Sequence, residues 1–153
     1  MIWIGDVNWF LFGSFALGTQ DAYSDLDLMF EGPLEADLER PYWVRQKSIL
    51  ARQVPHAEVW LSLPDEKRLV PFTEQAKELE GSNRLYDFVR AYRRPVSAAH
   101  LSRLLVWFSS WERRRFTNEQ EYLLRTQAKH DKLAELIDEW EKSGKPDAFR
   151  HAA

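Results

Sequence analysis

The sequence predicts an α/β (α+β) fold, a small mixed β-sheet followed by C-terminal helices. Three observations carry this expectation. Short apolar runs at residues 9–12, 25–30 and 57–63 end at Gly13, at Glu31-Gly32-Pro33-Leu34 and at Pro64, the punctuation of strands. The third run, Ala57-Glu58-Val59-Trp60-Leu61-Ser62-Leu63, has the β-branched and aromatic content that suits a pleated surface. From residue 84 onward the apolar positions change to helical spacing, with Leu101, Leu104, Leu105 and Phe108 at i, i+3, i+4 and i+7. The division is a core over residues 1–80 and a helical part over 81–153, packed on the core as one structural unit.

Residues 1–12 read as one strand or two short ones, with Ile2 and Ile4 alternating with Trp3 and a turn at Gly5-Asp6. A short segment at 15–17 is broken by Gly18-Thr19. Leu38, Tyr42, Val44, Ile49 and Leu50 place a helix over 35–53, which Pro41 either interrupts or starts. After the strand at 57–63, a short helix is expected over 73–80, ended by Gly81-Ser82-Asn83. Leu85, Phe88, Val89 and Tyr92 give a helix over 84–92, with Arg90, Arg93 and Arg94 at the end that favours cations, and Pro95 stops it. Ser97 is an N-cap for a helix from 98 to about 115, closed by Arg113-Arg114-Arg115. Thr117 with Gln120 forms a capping box for the last helix, whose stripe is Leu133, Leu136, Ile137 and Trp140. Ser143-Gly144-Lys145-Pro146 ends it, and the last seven residues fray.

The chain has 153 residues, 44% hydrophobic with seven Trp, enough to bury a core. It has no cysteine, which excludes disulfides and thiolate metal sites. No apolar run reaches membrane-spanning length and the N-terminal residues do not resemble a signal peptide, so no membrane association and a cytoplasmic location are expected. The net charge of −3 is unevenly placed. Residues 1–80 hold 7 basic and 14 acidic side chains, and residues 81–125 hold 9 and 4. An acidic half beside a basic middle suits a site that handles divalent cations and phosphates together, although a basic stretch is as often a solvated helix face.

The chemistry concentrates in residues 12–28. The apolar run ends at Gly13-Ser14, Gly18 follows, and Tyr23-Ser24 leads into Asp25-Leu26-Asp27-Leu28. Glycine allows backbone to approach a ligand closely, and N–H groups at a helix start attract phosphate. Asp25 and Asp27 alternate with apolar residues, so on a strand both carboxylates face one side, and a divalent cation relieves their repulsion. An ordinary hairpin with solvated acids would explain Asp25 and Asp27 but not Gly13-Ser14 at a fixed distance before them. This Gly-Ser, ten-residue, Asp-x-Asp pattern resembles the signature of the nucleotidyltransferase superfamily that includes DNA polymerase β, and among its members the minimal nucleotidyltransferases most.

The resemblance covers about the first 60 residues in detail. It implies a third carboxylate on the strand after the first strand–helix unit, where Glu58 is the only acid in the run. The implied catalytic and metal-holding residues are thus Asp25, Asp27 and Glu58, with two Mg²⁺ ions, or Mn²⁺ in their place. The implied nucleotide-binding residues are Gly13, Ser14, Gly18 and Ser24. The implied reaction moves a nucleoside monophosphate from a nucleoside triphosphate to a hydroxyl of a protein, an RNA end or a small molecule, releasing pyrophosphate. A homo-oligomer or a HEPN-type toxin partner is compatible with it. The rival expectation is a binding module that kept the fold and lost turnover.

There are two departures from the family pattern. Family members carry a helix before the first strand, so the C-terminal helices are expected to cover that face of the sheet. Many relatives carry arginine just after Gly-Ser, where this chain has Phe15 and Leu17, so the triphosphate needs cations from elsewhere, from Lys or Arg beyond residue 81. Of the histidines, His56, two residues before Glu58, reads as a surface residue. Arg125-x₄-His130, and loosely Arg94 to His100, match the pattern of HEPN-type ribonucleases, but with 14 arginines and four histidines such matches arise by chance. Aromatic residues interleave with Arg over 107–116, and at helical spacing such residues are more often core than a base-stacking platform.

Overall fold

The expected first strand forms as β1 (Asn8–Phe12), and the turn at Gly13 leads directly into the four-residue helix α1 (Ser14–Leu17). The computed structural model describes residues 8–31, 44–45, 47–48, 51–52, 54, 57–73, 76, 83–110 and 116–146. Expectations for residues 1–7 and His56 lie outside these. So do most of the helix proposed over 73–80 and the Arg113-Arg114-Arg115 segment. Within 35–53, all the described residues, namely 44, 45, 47, 48, 51 and 52, are helical.

β2 (Leu26–Glu31) and β3 (Ala57–Leu63) pair in parallel, which requires a crossover between them. β4 (Arg68–Pro71) follows a 3₁₀ turn at Pro64–Glu66. Then come α2 (Asn83–Ala91), β5 (Arg94–Val96), α3 (Ala98–Ser109) and α4 (Glu119–Lys142). The sheet order is β4-β3-β2-β1-β5, with every pair antiparallel except β2–β3. β4 and β5 are absent from the sequence reading. They have four and three residues, and each contains a proline, Pro71 or Pro95. Both lie at sheet edges, where a missing N–H breaks no central ladder. Pro95 therefore does more than stop α2, and residues beyond 80 complete the sheet.

The alternation of side chains divides the sheet into two faces. On one face, Trp9, Leu26, Leu28, Phe30, Val59 and Leu61 pack against Leu101, Leu105 and Phe108 of α3. Leu26, Leu28, Phe30 and Val59 have no exposed surface, so truncating one of them to Ala would cost about 2–5 kcal/mol. Ser97 caps α3 as expected, its hydroxyl accepting from the His100 N–H, and the helix stops at Ser109, short of 115.

On the other face, Phe10, Phe12, Met29 and Trp60 pack against Tyr86 of α2. α4 lies against α2 through Ile137, Trp140 and Phe88, so the expected stripe is the buried one. Its N-cap is Asn118, which accepts from the Glu121 N–H at 2.8 Å, and not Thr117, whose hydroxyl instead bonds the Glu121 carboxylate. Asn leads Thr in cap preference, and the cap expected at Thr117 forms one residue later. None of the helices among the described residues is long and apolar enough to cross a membrane.

Candidate active site

The face that carries Met29 and Trp60 also carries the acids. Asp27 and Glu58 are the second residues of the parallel strands β2 and β3 and are register partners, so two carboxylates stand side by side at one end of the sheet. Asp25 precedes β2, two residues before Asp27. On the other side of Asp27 its partner is Phe12, the last residue of β1, so the Gly13 turn lies beside the Asp27 side chain.

Gly13 has φ 70° and ψ −152°, a region essentially confined to glycine. A β-carbon placed there would lie 2.1 Å from Asp27 Oδ2. The missing side chain is therefore what lets backbone and carboxylate meet. The Gly13 carbonyl accepts from the Ala16 and Leu17 N–H groups, which starts α1, and Gly18, at φ 74°, ends it in the left-handed conformation.

The loop after α1 is tied to itself and to α4. The Asp21 carboxylate accepts from the Tyr23 N–H at 3.0 Å and from the Ser24 hydroxyl at 3.0 Å, and the Asp21 N–H donates to Ser24 Oγ. From α4, Arg125 donates to both Asp21 oxygens, at 3.2 and 2.8 Å. Lys129 Nζ donates to Ser24 Oγ at 3.2 Å. Tyr23 stacks on Phe116 with ring centroids 4.4 Å apart, and its hydroxyl bonds Glu121. Burial raises the Asp21 pKa, but the hydrogen bonds from Arg125, Tyr23 and Ser24 outweigh it and hold the group at about 2.

Between the sheet end and α4 lies a cavity of about 680 Å³, the size of a small-molecule site. Gly13, Ser14, Asp25, Asp27 and Glu58 line one wall, and Arg125, Thr126, Lys129 and His130 line the other. The structure thus brings the three predicted acids together with Gly13 and Ser14. It separates the other two predicted residues from them. Gly18 is exposed at the end of α1 and is not itself in the cavity lining, although its neighbours Leu17 and Thr19 are, and Ser24 is buried, where it secures the 21–25 loop.

Burial, then Glu58, then Asp25, push the Asp27 carboxyl well above the usual carboxylate range, with Lys129 opposing. Carboxylates are the hard oxygen donors that Mg²⁺ and Mn²⁺ take, and crowded acids that resist ionising are relieved by a cation. The donor chemistry therefore fits such an ion. Among the described residues, however, no group of three or more His, Cys, Asp or Glu side chains converges in a metal-holding arrangement.

Lys129 and Arg125 were not legible as site residues in the sequence. The only signal was the lack of a cation after Ser14, which asked for a Lys or Arg beyond residue 81 without saying which. Arg125 and His130, the ribonuclease-like pair, both line the cavity, but Arg125 is engaged by Asp21.

A mixed sheet sets a glycine turn and adjoining carboxylates against one cavity, the donor types that a phosphorylated ligand and its cation would need. The comparison with protein families agrees: residues 2–94 match the nucleotidyltransferase domain, and the chain belongs to that family. Comparisons with curated proteins and with solved structures each gave no match.

Proposed function

We propose that the protein is a divalent-cation-dependent nucleotidyltransferase that moves a nucleoside monophosphate from a nucleoside triphosphate to a hydroxyl acceptor and releases pyrophosphate. The observation that carries this reading is the side-by-side placement of Asp27 and Glu58 at the start of β2 and β3, with Gly13 backbone against Asp27 and Asp25 two residues away. The acceptor oxygen attacks the α-phosphorus, and the bond from that phosphorus to the bridging oxygen of the β-phosphate breaks. The hydroxyl proton passes to the Asp27–Glu58 pair. Ser14 lies at the cavity wall, where its hydroxyl can donate to a phosphate oxygen. Asp25, Asp27 and Glu58 would hold the cation, which when bound neutralises phosphate charge and acidifies the acceptor hydroxyl.

The reading is tested by incubating the protein with Mg²⁺ or Mn²⁺ and each α-labelled nucleoside triphosphate, with and without cell extract. Label should pass to an acceptor, and the Asp25→Asn, Asp27→Asn double variant should transfer none. Absence of transfer by the wild type with every nucleotide would contradict it.

A further inference from the structure

Lys129 stands apart from the other cations at the cavity. Arg125 gives its charge to Asp21 in a two-pronged ion pair. Lys132, also at the cavity, is exposed and lies 3.7 Å from Glu135. Lys129 is partly buried, its ammonium donates to the neutral Ser24 hydroxyl, and it makes no ion pair among the described residues. Partly burying an ammonium that makes no direct ion pair is costly, and a bound anion relieves the cost. Burial and Arg125 both act against its charge, and Asp21, Asp27 and Asp25 only partly offset them. Its position is fixed from both sides. The Arg125–Asp21 pair anchors α4 one turn earlier, and Ser24 holds the ammonium beside the strand that begins at Leu26.

We infer that Lys129 is the cation that receives the polyphosphate tail of the nucleotide, so that α4 supplies the charge absent from the segment after Gly13-Ser14. This rests on the nucleotidyl-transfer reading and deepens it. It places the β- and γ-phosphates against α4 and the α-phosphorus toward Asp27 and Glu58. The ammonium exchanges a neutral hydroxyl partner for phosphate oxygens, and Ser24 keeps its bonds to Asp21.

The test is calorimetric titration with inorganic tripolyphosphate in chelator-treated, metal-free buffer, so that it depends on neither catalysis nor the metal. Wild-type protein should bind. Lys129→Met, which keeps length and removes charge, should bind at least about tenfold more weakly, the value of one charge-assisted hydrogen bond. Lys129→Arg should recover most of that loss, and Lys142→Met, at the far end of the helix, should match the wild type. In unaltered protein, tripolyphosphate should also protect Lys129 from acylation, read by mass spectrometry of its peptide, which keeps the test independent of how the variants fold. No binding by the wild type, equal binding by Lys129→Met, or unprotected Lys129 would overturn the inference. Tripolyphosphate binding that depends on Lys129 in a protein that transfers no nucleotide would uphold it and overturn the transferase reading instead.

Discussion

Replacing Gly13 by alanine should damage stability and site together, and the structure gives the size of the effect. The backbone at φ 70°, ψ −152° costs a residue with a β-carbon about 1–3 kcal/mol. The added methyl would also lie 2.1 Å from Asp27 Oδ2, 3.0 Å from its Cγ and 3.1 Å from its Cβ. Rotating the carboxylate relieves the first contact but not the last, so β2 or the turn must shift as well. Together these give a loss of about 2–4 kcal/mol, or a fall in Tm of roughly 5–15 °C for a chain of this length. Gly18 is the internal control. It has φ 74° and ψ 19°, and nothing lies within 4 Å of an added β-carbon, so Gly18→Ala should cost about 1–2 kcal/mol. Thermal denaturation measures both, and Mn²⁺ titration of the folded proteins shows whether Asp27 has moved. Gly13→Ala should be the less stable variant and the only one with weakened Mn²⁺ binding. Equal stability of the two, or unchanged Mn²⁺ affinity in Gly13→Ala, would refute the claim that this turn positions Asp27.

Other outcomes follow from the same contacts. Mn²⁺ should raise the Tm of the wild type, and Asp27→Asn should abolish that rise while making the metal-free protein more stable, since it relieves the crowding of Asp27 with Glu58 and Asp25. The Asp21–Arg125 pair should stabilise the protein only while Asp21 is ionised. Its pKa is depressed in the folded state, so the contribution is present above the unfolded value near 4 and fades as pH falls toward 2. Because Asp21 is two-fifths exposed, solvent screening limits that contribution to under about 1 kcal/mol, read as a wild-type advantage over Asp21→Asn in urea unfolding at pH 6 that vanishes near pH 2. A chain ending at residue 94 would lose Val96, the partner of Trp9, and the α3 residues Leu101, Leu105 and Phe108. It should aggregate, and cooperative unfolding of a soluble 1–94 chain would show that the sheet stands alone.

The sequence was informative where local chemistry decided structure. β3 could be read at its true bounds because a continuous β-favouring run meets Pro64, and Ser97 could be read as a cap because the hydroxyl and the helical spacing agree. The acids were legible because Asp25, Asp27 and the Gly13 turn lie within fifteen residues. β4 and β5 were not legible, because three or four residues containing a proline carry too little periodicity, and tertiary pairing alone makes them strands. Lys129 and Arg125 were hidden for a different reason. Arg125 and Asp21 are 104 residues apart, and nothing local marks which face of a long, largely polar helix will meet a loop near the other end of the chain. The burial of Ser24 and its bond from Lys129 were hidden for the same reason, since both depend on that docking.

The central claim, phosphoryl chemistry at the Asp25, Asp27 and Glu58 wall, is tested most directly by the turnover of Glu58→Gln. Glutamine keeps the volume and hydrogen bonding of Glu58 and removes its charge and its ability to take a proton. Nucleotide transfer by wild type and variant should be measured side by side at saturating triphosphate, with Tm and nucleotide affinity recorded on the same samples. The kcat of Glu58→Gln should fall by about a hundredfold or more, comparable to the loss of a general base, with little change in Tm or in nucleotide affinity. Turnover near the wild-type rate would contradict it, because the carboxylate paired in register with Asp27 would then take no part in the reaction.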